Sequence, residues 1–393
     1  MYSWVPDAVR ERLLAICRGH LAPQGVAYVS YNTYPGSHLR DVARDLMLYH
    51  TRAVAGARER IGEAHAILRF AAELRAGDEL HARILRGQLE RVERTAEEVL
   101  YHDDLDPAAQ PFLLHEVVAA AKQQDLQYLG DATLGLGETF GLPPEVAGLV
   151  AQIPPESAME REQYLDFFAG RDFRRTLLCR ADVRLDRRAA RAALTAGAFA
   201  GRLSLQDGGD PEGEGTFKAA NGSVIACADP LGKIALLALG TRWPQSVAFA
   251  DLFAVAREHA GVADADPAPQ AAALADLLYR AVVDRQMEFH VAPPPLTTEI
   301  SERPEASLLA RRQIESGPVV SNLRHARVVL NDPVARRFLV LVDGTRTADD
   351  LVRDLNAQLT ATGGSDGAPP VVVSREQVDE NLRILARLAL LIR

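Results

Sequence analysis

The sequence predicts a chain that begins as an α/β domain and continues as mainly α-helical, winged-helix-like α+β domains. Three observations lead to this prediction. Residues 26–31 form a short β-branched and aromatic run, followed by a proline-glycine turn and an amphipathic helix. Residues 58–100 repeat apolar side chains at three- and four-residue spacings, as helices do. Beyond residue 186, helical patterns alternate with short strands and one Asn-Gly hairpin signal.

The composition sets limits on the class of protein. With 393 residues and 48% hydrophobic content, the chain can form two or three domains with their own cores. A net charge of -9 argues against general affinity for nucleic acid. The three cysteines, Cys17, Cys179 and Cys227, are far apart and form no CxxC motif, which predicts a reduced cytoplasm and no zinc site. There is no apolar run of about 18 residues and no secretory signal, so we expect a cytoplasmic protein.

The first elements are a helix, a strand and a second helix. Residues 7–20 carry apolar side chains on one side after Pro6, which favours a helix. After the strand at 26–31, Pro35-Gly36 forms a turn, and we expect Ser37 to cap the helix that follows. Loops that leave the carboxyl ends of strands line the ligand crevice of open α/β sheets. We therefore expect chemistry in the loop formed by Asn32, Thr33, Tyr34 and Pro35.

The next segment, 58–100, predicts two antiparallel helices separated at Gly77-Asp78. Two interpretations remain open for this hairpin: it packs on the neighbouring domain, or it is a dimerisation element. Residues 101–185 then predict a helix at 111–124, strands at 126–129 and 173–179, and between them a helical insertion at 142–164. The cysteine at 179 falls within a strand and is expected to be a core residue.

Two winged-helix-like domains are predicted for the rest of the chain, at 186–295 and 296–393. The first combines a helix at 186–200, a loop at 207–215, a hairpin around Asn221-Gly222, helices at 231–239, 249–258 and 271–284, and a strand at 287–291. The second combines strands at 318–321 and 326–330, helices at 333–341, 348–359 and 375–391, a helix cap at Thr347, and a flexible loop at 363–370.

Long, ordered motifs carry a family resemblance. They are YSWVP (2–6), LAPQGVAYVSYNTYPGSHLRD (21–41), YHDDLDPAAQPFLLHEVVAAAKQQDLQYLGDA (101–132), EQYLDFFAGRDFRRTLLCR (162–180) and SERPEASLLARRQ (301–313). These resemble the bacterial S-adenosylmethionine-dependent methyltransferase family that carries a methyltransferase regulatory domain. That family includes protein-lysine methyltransferases of outer-membrane proteins.

The resemblance implies a fold and a domain order. Residues 1–57 would be part of a Rossmann-like, class I methyltransferase sheet, 58–100 the helical hairpin, and 101–185 the regulatory segment with the last sheet strands. It also implies S-adenosylmethionine as cofactor, a protein substrate, and a homodimer. In this family YSWVP follows the fourth strand, and no glycine-rich donor-binding turn precedes it here. We therefore expect the N-terminal cofactor-binding half to be missing from this chain, and a separate cofactor-binding half to be a possible partner.

The candidate site is the set of residues expected near substrate or cofactor. A lysine acceptor must lose its proton and be aimed at the methyl group, which favours a dry channel of aromatic faces. No catalytic residue is assigned, and packing of these aromatics at the rim of the sheet is the alternative interpretation. The candidates are Tyr2, Ser3, Trp4, Asn32, Tyr34, Pro35 and His38.

Two further kinds of site were weighed. His115-Glu116, with Asp103, Asp104 and Asp106 upstream, lacks the ligand spacing of HExxH, so no metal is expected. A winged-helix fold makes DNA binding a candidate function, but none of the predicted helices resembles a recognition helix. The arginines that could line a DNA-binding face are Arg311, Arg312, Arg324, Arg327, Arg336 and Arg337.

The favoured interpretation of function is the regulatory, substrate-positioning and dimerisation part of a methyltransferase that acts on protein lysine and is not catalytically complete alone. The alternative is a non-enzymatic interaction protein, whose winged-helix-like domains bind a partner protein or DNA.

Overall fold

Three strands form the sheet of the first half of the chain in a computed structural model of the protein. The structure describes residues 1–74, 77–133, 143–186, 193–206, 215–262, 264, 266–362 and 372–392. The chain divides into two compact units, residues 1–187 and 188–393. None of the helices within the described ranges is both long and apolar enough for a membrane span.

The sheet of the first unit has the order β1–β3–β2. Strand β1 is Ala27–Asn32, β2 is Leu126–Asp131 and β3 is Phe173–Arg180. The central strand, β3, is antiparallel to both neighbours, with a bulge in β2 at Tyr128/Gly130. Helices α1 (Asp7–His20) and α6 (Leu114–Lys122) pack apolar side chains against the sheet, where Leu14, Tyr31 and Leu178 are fully or almost fully buried. The predicted α/β character of this region is confirmed.

A helical subdomain follows β1. It contains α2 (Ser37–His50), α3 (Ala57–Glu73), α4 (Leu80–Glu93) and α5 (Glu97–Asp103). Apolar residues at helical spacing on α3, such as Ala64 and Leu68, form its core with Met47 and Leu85. The predicted helical hairpin is therefore present as α3 and α4.

Two α-helices lie among the described residues between β2 and β3, where a helical insertion was predicted. Helix α7 is Pro144–Ala151 and α8 is Ala158–Ala169, preceded by a short 3-10 turn at Pro155–Ser157. Helix α8 ends at Gly170, whose φ of +61° places it in the left-handed region that glycine adopts easily. Residue 142, the first of the predicted insertion, lies outside the described residues.

The described residues of the second unit form two separate cores. The first is built by α9 (Pro230–Arg242), α10 (Phe249–His259) and α11 (Pro267–Val283), with strands of two small sheets. One sheet has the order β8–β4–β9 and the other β5–β6–β7. These strands are β4 (Ala198–Ala200), β5 (Leu203–Leu205), β6 (Gly215–Ala219), β7 (Val224–Cys227), β8 (Val247–Ala248) and β9 (Glu288–His290).

The second core has a winged-helix arrangement. Its helices are α12 (Leu308–Ser316), α13 (Pro333–Leu341), α14 (Ala348–Thr362) and α15 (Arg375–Arg387), and its two-stranded wing pairs β10 (Val319–Ser321) with β11 (Arg327–Val329). Thr347 caps α14 as predicted, because its hydroxyl accepts from the N–H of Asp350 at 3.3 Å.

Four predicted details are wrong, each because tertiary contacts override a local signal. Gly36 rather than Ser37 precedes α2, because the Ser37 hydroxyl bonds Asp172 instead. The helix predicted from 111 begins at Leu114, since Phe112 forms a bridge with Thr33. The remaining two lie in the second unit. Residues 198–200 of a predicted helix form β4 because they pair with β8 and β9, and the last helix ends at 387 rather than 391 because Leu391 forms a bridge with Ala306. Residues 187–192, 207–214 and 363–370, predicted as part of a helix and as two loops, lie outside the described residues.

Candidate functional site

A tight turn at residues 32–37 joins β1 to α2, and two other segments hold it in place. On one side, the N–H of Phe112 donates to the carbonyl of Asn32 at 3.0 Å, and the Thr33 hydroxyl donates to the carbonyl of Phe112 at 2.6 Å. On the other side, the N–H of Thr33 donates to the carbonyl of Asp172 at 2.8 Å. The Tyr34–Pro35 peptide bond is cis. The turn is therefore fixed by backbone contacts from two directions.

The short 3-10 helix Tyr2–Trp4 lies beside the end of β1. The buried hydroxyl of Ser3 accepts from the N–H of Asn32 at 2.9 Å, and the Ser3 carbonyl accepts from the N–H of Gln110 at 2.8 Å. Two of the candidate residues, Ser3 and Asn32, are thus in direct contact. Trp4 is half-buried, and its ring lies 5.6 Å from that of His102.

Tyr2 occupies a different environment. Its side chain is 5% exposed, and its ring packs 5.3 Å from that of Phe112 and 6.1 Å from that of Tyr31. It also borders a cavity of about 330 Å³ between α1 and α6, in which the Arg10 guanidinium lies 4.8 Å from the Phe112 ring. Tyr2 is thus packed among aromatic rings at the rim of the sheet, and a place near substrate or cofactor stays a prediction for it.

Tyr34 of the turn contacts two polar residues of α2, His38 and Asp41. The Tyr34 and His38 rings stack with centroids 4.1 Å apart, and the Tyr34 hydroxyl donates to Asp41 Oδ2 at 3.1 Å. Burial, with the adjacent Asp41 carboxylate, raises the pKa of Tyr34 to about 12. Burial also raises the pKa of Asp41, against the Tyr34 hydrogen bond and the Arg44 charge. Tyr34 is therefore a neutral phenol at physiological pH, and it offers an aromatic face and not a base.

Arginine pairs orient helix α2 behind the turn. Asp104 is fully buried and accepts from Arg40 Nε at 2.7 Å and from Arg91 Nη2 at 2.8 Å. Burial raises the pKa of Asp104, but the hydrogen bonds and charges of Arg40 and Arg91 outweigh it and lower that pKa overall. Arg44 donates to the carbonyl of Asp106 at 2.6 Å. These contacts tie α2 to the segment that follows α5.

The possible metal site at His115-Glu116 is engaged in other contacts. Glu116 Oε2 accepts from the N–H of Leu113 at 2.8 Å at the start of α6, while His115 Nδ1 lies 3.1 Å from Gln163 Oε1. Across the described part of the chain, His, Cys, Asp and Glu side chains nowhere gather in a group of three or more that could hold a metal ion.

Several arginines of the second unit contact the protein itself. Arg324 stacks on the Trp243 ring at 4.0 Å and donates to the carbonyl of Pro244 at 2.9 Å. Arg311 donates to the carbonyl of Ala306 at 3.3 Å, and Arg312 lies 3.6 Å from Glu315. Arg311 and Arg324 are thus engaged in contacts within the second unit.

A buried ionic cluster around Arg174 was missed by sequence reasoning. Arg174 lies on β3, is fully buried, and contacts Asp166 and Glu162 of α8 and Tyr128 of β2. A signal was available, because period-2 alternation along β3 places Arg174 on the same buried face as Thr176 and Leu178. An arginine on a buried strand face requires acidic partners.

The first unit is a mixed α/β domain with a helical insertion, and the second unit ends in a winged-helix domain. Comparison with known families agrees. Residues 96–180 match the "Predicted methyltransferase regulatory domain", and residues 302–365 match the "PKMT, C-terminal winged helix domain". The chain therefore carries both of these domains, and the resemblance to the methyltransferase family with a regulatory domain is confirmed.

Curated relatives cover part of the chain. An uncharacterised protein of Rickettsia prowazekii is 33% identical over 186 residues, which is 47% of this chain and 33% of that protein. A second from the same organism is 24% identical over 130 residues, which is 33% of this chain and 52% of that protein. A Synechocystis protein is 25% identical over 187 residues, covering 47% of this chain and 37% of that protein. The chain thus spans a third to about a half of the length of these relatives.

Solved structures share the fold. PKMT2 from Rickettsia typhi superposes with a TM-score of 0.82 and 21% identity, over all of this chain and 80% of that chain. The same protein in complex with AdoHcy gives a TM-score of 0.81 at 21% identity, over all of this chain and 79% of that chain. At this identity the likeness establishes the fold.

Proposed function

We propose that this chain provides the acceptor-side, regulatory and dimerisation part of an S-adenosylmethionine-dependent methyltransferase that acts on protein lysine. In this proposal the chain does not bind the methyl donor tightly by itself. The donor-binding strands are paired to β1 by another segment or another polypeptide. The regulatory-domain match and the fold shared with an AdoHcy-binding protein support the class of reaction.

The observation that carries the proposal is the environment of the 32–37 turn. It lies at the carboxyl end of β1, where open α/β sheets bind ligands. It presents the stacked faces of Tyr34 and His38 beside the Asp41 carboxylate. An ammonium group is attracted to aromatic faces and to a carboxylate, so this surface suits a lysine side chain. The contacts of the turn with 110–113 and 170–172 preorganise it before any ligand arrives.

The outer edge of β1 supports the second part of the proposal. Within the described residues, β1 pairs only with β3. The backbone groups of Asn32 face away from β3, toward Ser3 and Phe112. Because alternate residues of a strand face alternate sides, the backbone groups of Ser30 and Tyr28 also face that outer edge. Tyr28 is 57% exposed and Val26 is 49% exposed. An edge of this kind is suited to adding a strand.

The chemistry assigned to this chain is orientation and protection of the acceptor. S-adenosylmethionine, when bound, would supply the methyl group. The residues of this chain would aim the lysine nitrogen and shield it from water with the half-buried rings of Trp4 and Tyr34. A neutral Tyr34 phenol fits this role, because its pKa of about 12 keeps it from acting as a general base.

A dimer through the helical hairpin is the third part of the proposal. The tip of α3 and the start of α4 expose large apolar side chains, with Phe70 61% exposed, Leu74 67% and Leu80 66%. Apolar side chains close together on a hairpin suit a self-complementary contact between two copies.

The test is methyl transfer from isotopically labelled S-adenosylmethionine by the native protein, in the assembly that it forms in its own cell. We expect the label on the side-chain nitrogen of a protein lysine, located by mass spectrometry. A Ser30→Pro variant removes the outward N–H of β1 while the bonds to β3 remain, as proline allows on an edge strand. We expect that variant to fold normally and to lose transfer. Label on another group would overturn the lysine assignment, and normal transfer by Ser30→Pro would overturn strand addition at β1.

A further inference from the structure

Arg174 is the centre of a buried ionic cluster that joins three elements of the first unit. Its Nε and Nη2 donate to Asp166 Oδ2 and Oδ1 at 2.7 and 2.9 Å, in a bidentate pair. Its Nη1 donates to Glu162 at 3.0 Å and lies 3.3 Å from the Tyr128 hydroxyl. Arg174 and Asp166 are both 0% exposed. Buried ion pairs contribute little net stability compared with apolar packing. The role of this cluster is therefore sought in the positions that it fixes for the three elements.

Asp166 extends this geometry to the end of helix α8. Its side chain accepts from Arg171 Nη1 at 2.5 Å, and its carbonyl accepts from the N–H groups of Gly170 and Arg171. One aspartate thus holds the helix end through both its side chain and its backbone. Arg174 fixes the position of Asp166, and Asp166 in turn fixes the backbone of residues 170–172.

Residues 170–172 in turn hold the 32–37 turn. The N–H of Gly36 donates to the carbonyl of Arg171, and the N–H of Thr33 donates to the carbonyl of Asp172, both at 2.8 Å. The Ser37 hydroxyl donates to the same Asp172 carbonyl at 3.3 Å. The two segments are closely packed, because a Cβ on Gly36 would lie 2.3 Å from the Gly170 carbonyl oxygen. Any displacement of 170–172 must therefore move the turn.

We propose that Arg174 and Asp166 are positioning residues for the 32–37 turn, and that the regulatory segment acts on the acceptor surface through them. The importance of this coupling for catalysis rests on the proposed function, since the turn presents Tyr34 and His38. A signal that shifts or loosens α8 would be transmitted through Asp166 and residues 170–172 to the stacked pair. The cluster would then be the physical connection between the regulatory segment and the place where the acceptor binds.

A purely structural role makes a different prediction from a positioning role. If the cluster only stabilises the first unit, weakening it lowers protection from hydrogen exchange throughout that unit, in proportion to the lost global stability. If the cluster positions the turn, weakening it opens the Thr33 and Gly36 amides locally, at conditions under which the α3–α4 hairpin stays protected. The two roles are therefore separated by where exchange accelerates.

The experiment is native-state amide hydrogen exchange of the 393-residue chain, followed by NMR. Asp166→Asn keeps the shape of the side chain and removes its charge, and Arg171→Ala removes one cation from a partly exposed site without leaving a buried cation. In both variants we expect the Thr33 and Gly36 amides to exchange at least about tenfold faster, with the amides of α3 and α4 unchanged. Arg91→Gln is the matched control, since it takes one of two guanidinium groups from buried Asp104. It should leave the Thr33 and Gly36 amides as they are.

Three results would overturn the proposal: unchanged Thr33 and Gly36 exchange in both variants, uniform acceleration across the first unit, or the same acceleration in Arg91→Gln. Arg174→Lys supplies a further test, because lysine retains the charge but loses the bidentate geometry. It should accelerate the two amides less than Asp166→Asn does, and equal or greater acceleration counts against the proposal. These measurements need no methyl transfer. They therefore test the coupling between the Arg174 cluster and the 32–37 turn separately from the proposed function.

Discussion

The backbone N–H of Gly36 lies 2.8 Å from the carbonyl oxygen of Arg171, which brings the turn after β1 into direct contact with the segment that follows helix α8. Only a residue without a side chain fits there, because a Cβ on Gly36 would meet the Arg171 carbonyl carbon at 2.6 Å. Two segments more than a hundred residues apart in the chain are thus held at backbone distance beside the candidate acceptor surface.

Gly36→Ala should destabilise the first unit. The atoms that meet the new methyl group are backbone atoms, which cannot move aside as a side chain can, so we expect a loss of about 1–3 kcal/mol in the free energy of unfolding. Gly62→Ala is the control, since a Cβ on Gly62 of α3 meets nothing within 4 Å. Alanine there should stabilise the helix by up to about 1 kcal/mol. Urea denaturation of both variants measures the difference, and equal effects would contradict the close packing at Gly36.

Asp104 should make the helical subdomain sensitive to acid. Its pKa is lowered in the folded protein, since the hydrogen bonds and charges of Arg40 and Arg91 outweigh burial. A carboxylate with a lowered pKa contributes stability that is fully present above its unfolded pKa of about 3.9 and is lost as the pH falls through the folded pKa. The free energy of unfolding should therefore decrease as the pH is lowered below about 4.

Asp104→Asn removes this titration, so the variant should be less stable than the wild type at pH 7 and should lose less stability on acidification. Denaturant titrations from pH 7 to pH 3 measure both quantities. Parallel curves for the two proteins would show that Asp104 does not carry the acid sensitivity.

Tyr34→Phe tests the stacked pair. The ring and its contact with His38 are retained, while the 3.1 Å hydrogen bond to Asp41 is lost, so we expect the free energy of unfolding to decrease by about 0.5–1.5 kcal/mol. In the native assembly, the variant should retain part of its methyl transfer, because the aromatic face and not the phenol is assigned to the acceptor. Tyr34→Ala should lose far more.

Tyr49→Phe is the matched control for Tyr34→Phe, since Tyr49 is 68% exposed on the same helical subdomain. It should change neither stability nor transfer. Complete loss of transfer in Tyr34→Phe would mean that the hydroxyl itself takes part in the reaction, against the role proposed here.

Phe70→Ser with Leu74→Ser tests the dimer. Removing two large apolar side chains from the hairpin tip should weaken a contact between copies, so the molar mass in solution should fall from dimer to monomer as concentration is lowered. Light scattering after gel filtration measures this. Val291→Ser is the control, because Val291 is equally apolar and 85% exposed but lies in the second unit. A dimer that survives the double substitution, or a wild type that is monomeric at every concentration, would exclude the hairpin as the dimer contact.

Much of the fold was open to prediction from the sequence, because periodic apolar patterns and turn signals are local. The helix Asp7–His20 and the strand that ends at Asn32 follow from such patterns. The errors arise where a distant segment decides the local structure. Ser37 reads as a helix cap, yet its hydroxyl bonds Asp172, which is 135 residues away. The residues around Ser37 do not predict its contact with Asp172.

The candidate site was predictable in part. The turn at the end of β1 was expected from the topology of α/β sheets, and the structure brings Ser3 to Asn32 and Tyr34 to His38. The burial of Tyr2 against Phe112 and Tyr31 could not be predicted from the sequence, because a buried rim aromatic and a channel aromatic share the same local pattern. The Arg174 cluster was missed since its acidic partners become neighbours only when α8 packs beside β3.

The central claim is that this chain supplies the acceptor side of a methyltransferase and relies on additional strands at β1 for the donor. Isothermal titration of the 393-residue chain with S-adenosylmethionine tests it most directly. We expect any binding to be weaker than a dissociation constant of about 1 mM, which corresponds to a binding free energy of less than about 4 kcal/mol in magnitude. Tight, stoichiometric binding by this chain alone would contradict the claim, because it would place a complete donor pocket within these residues.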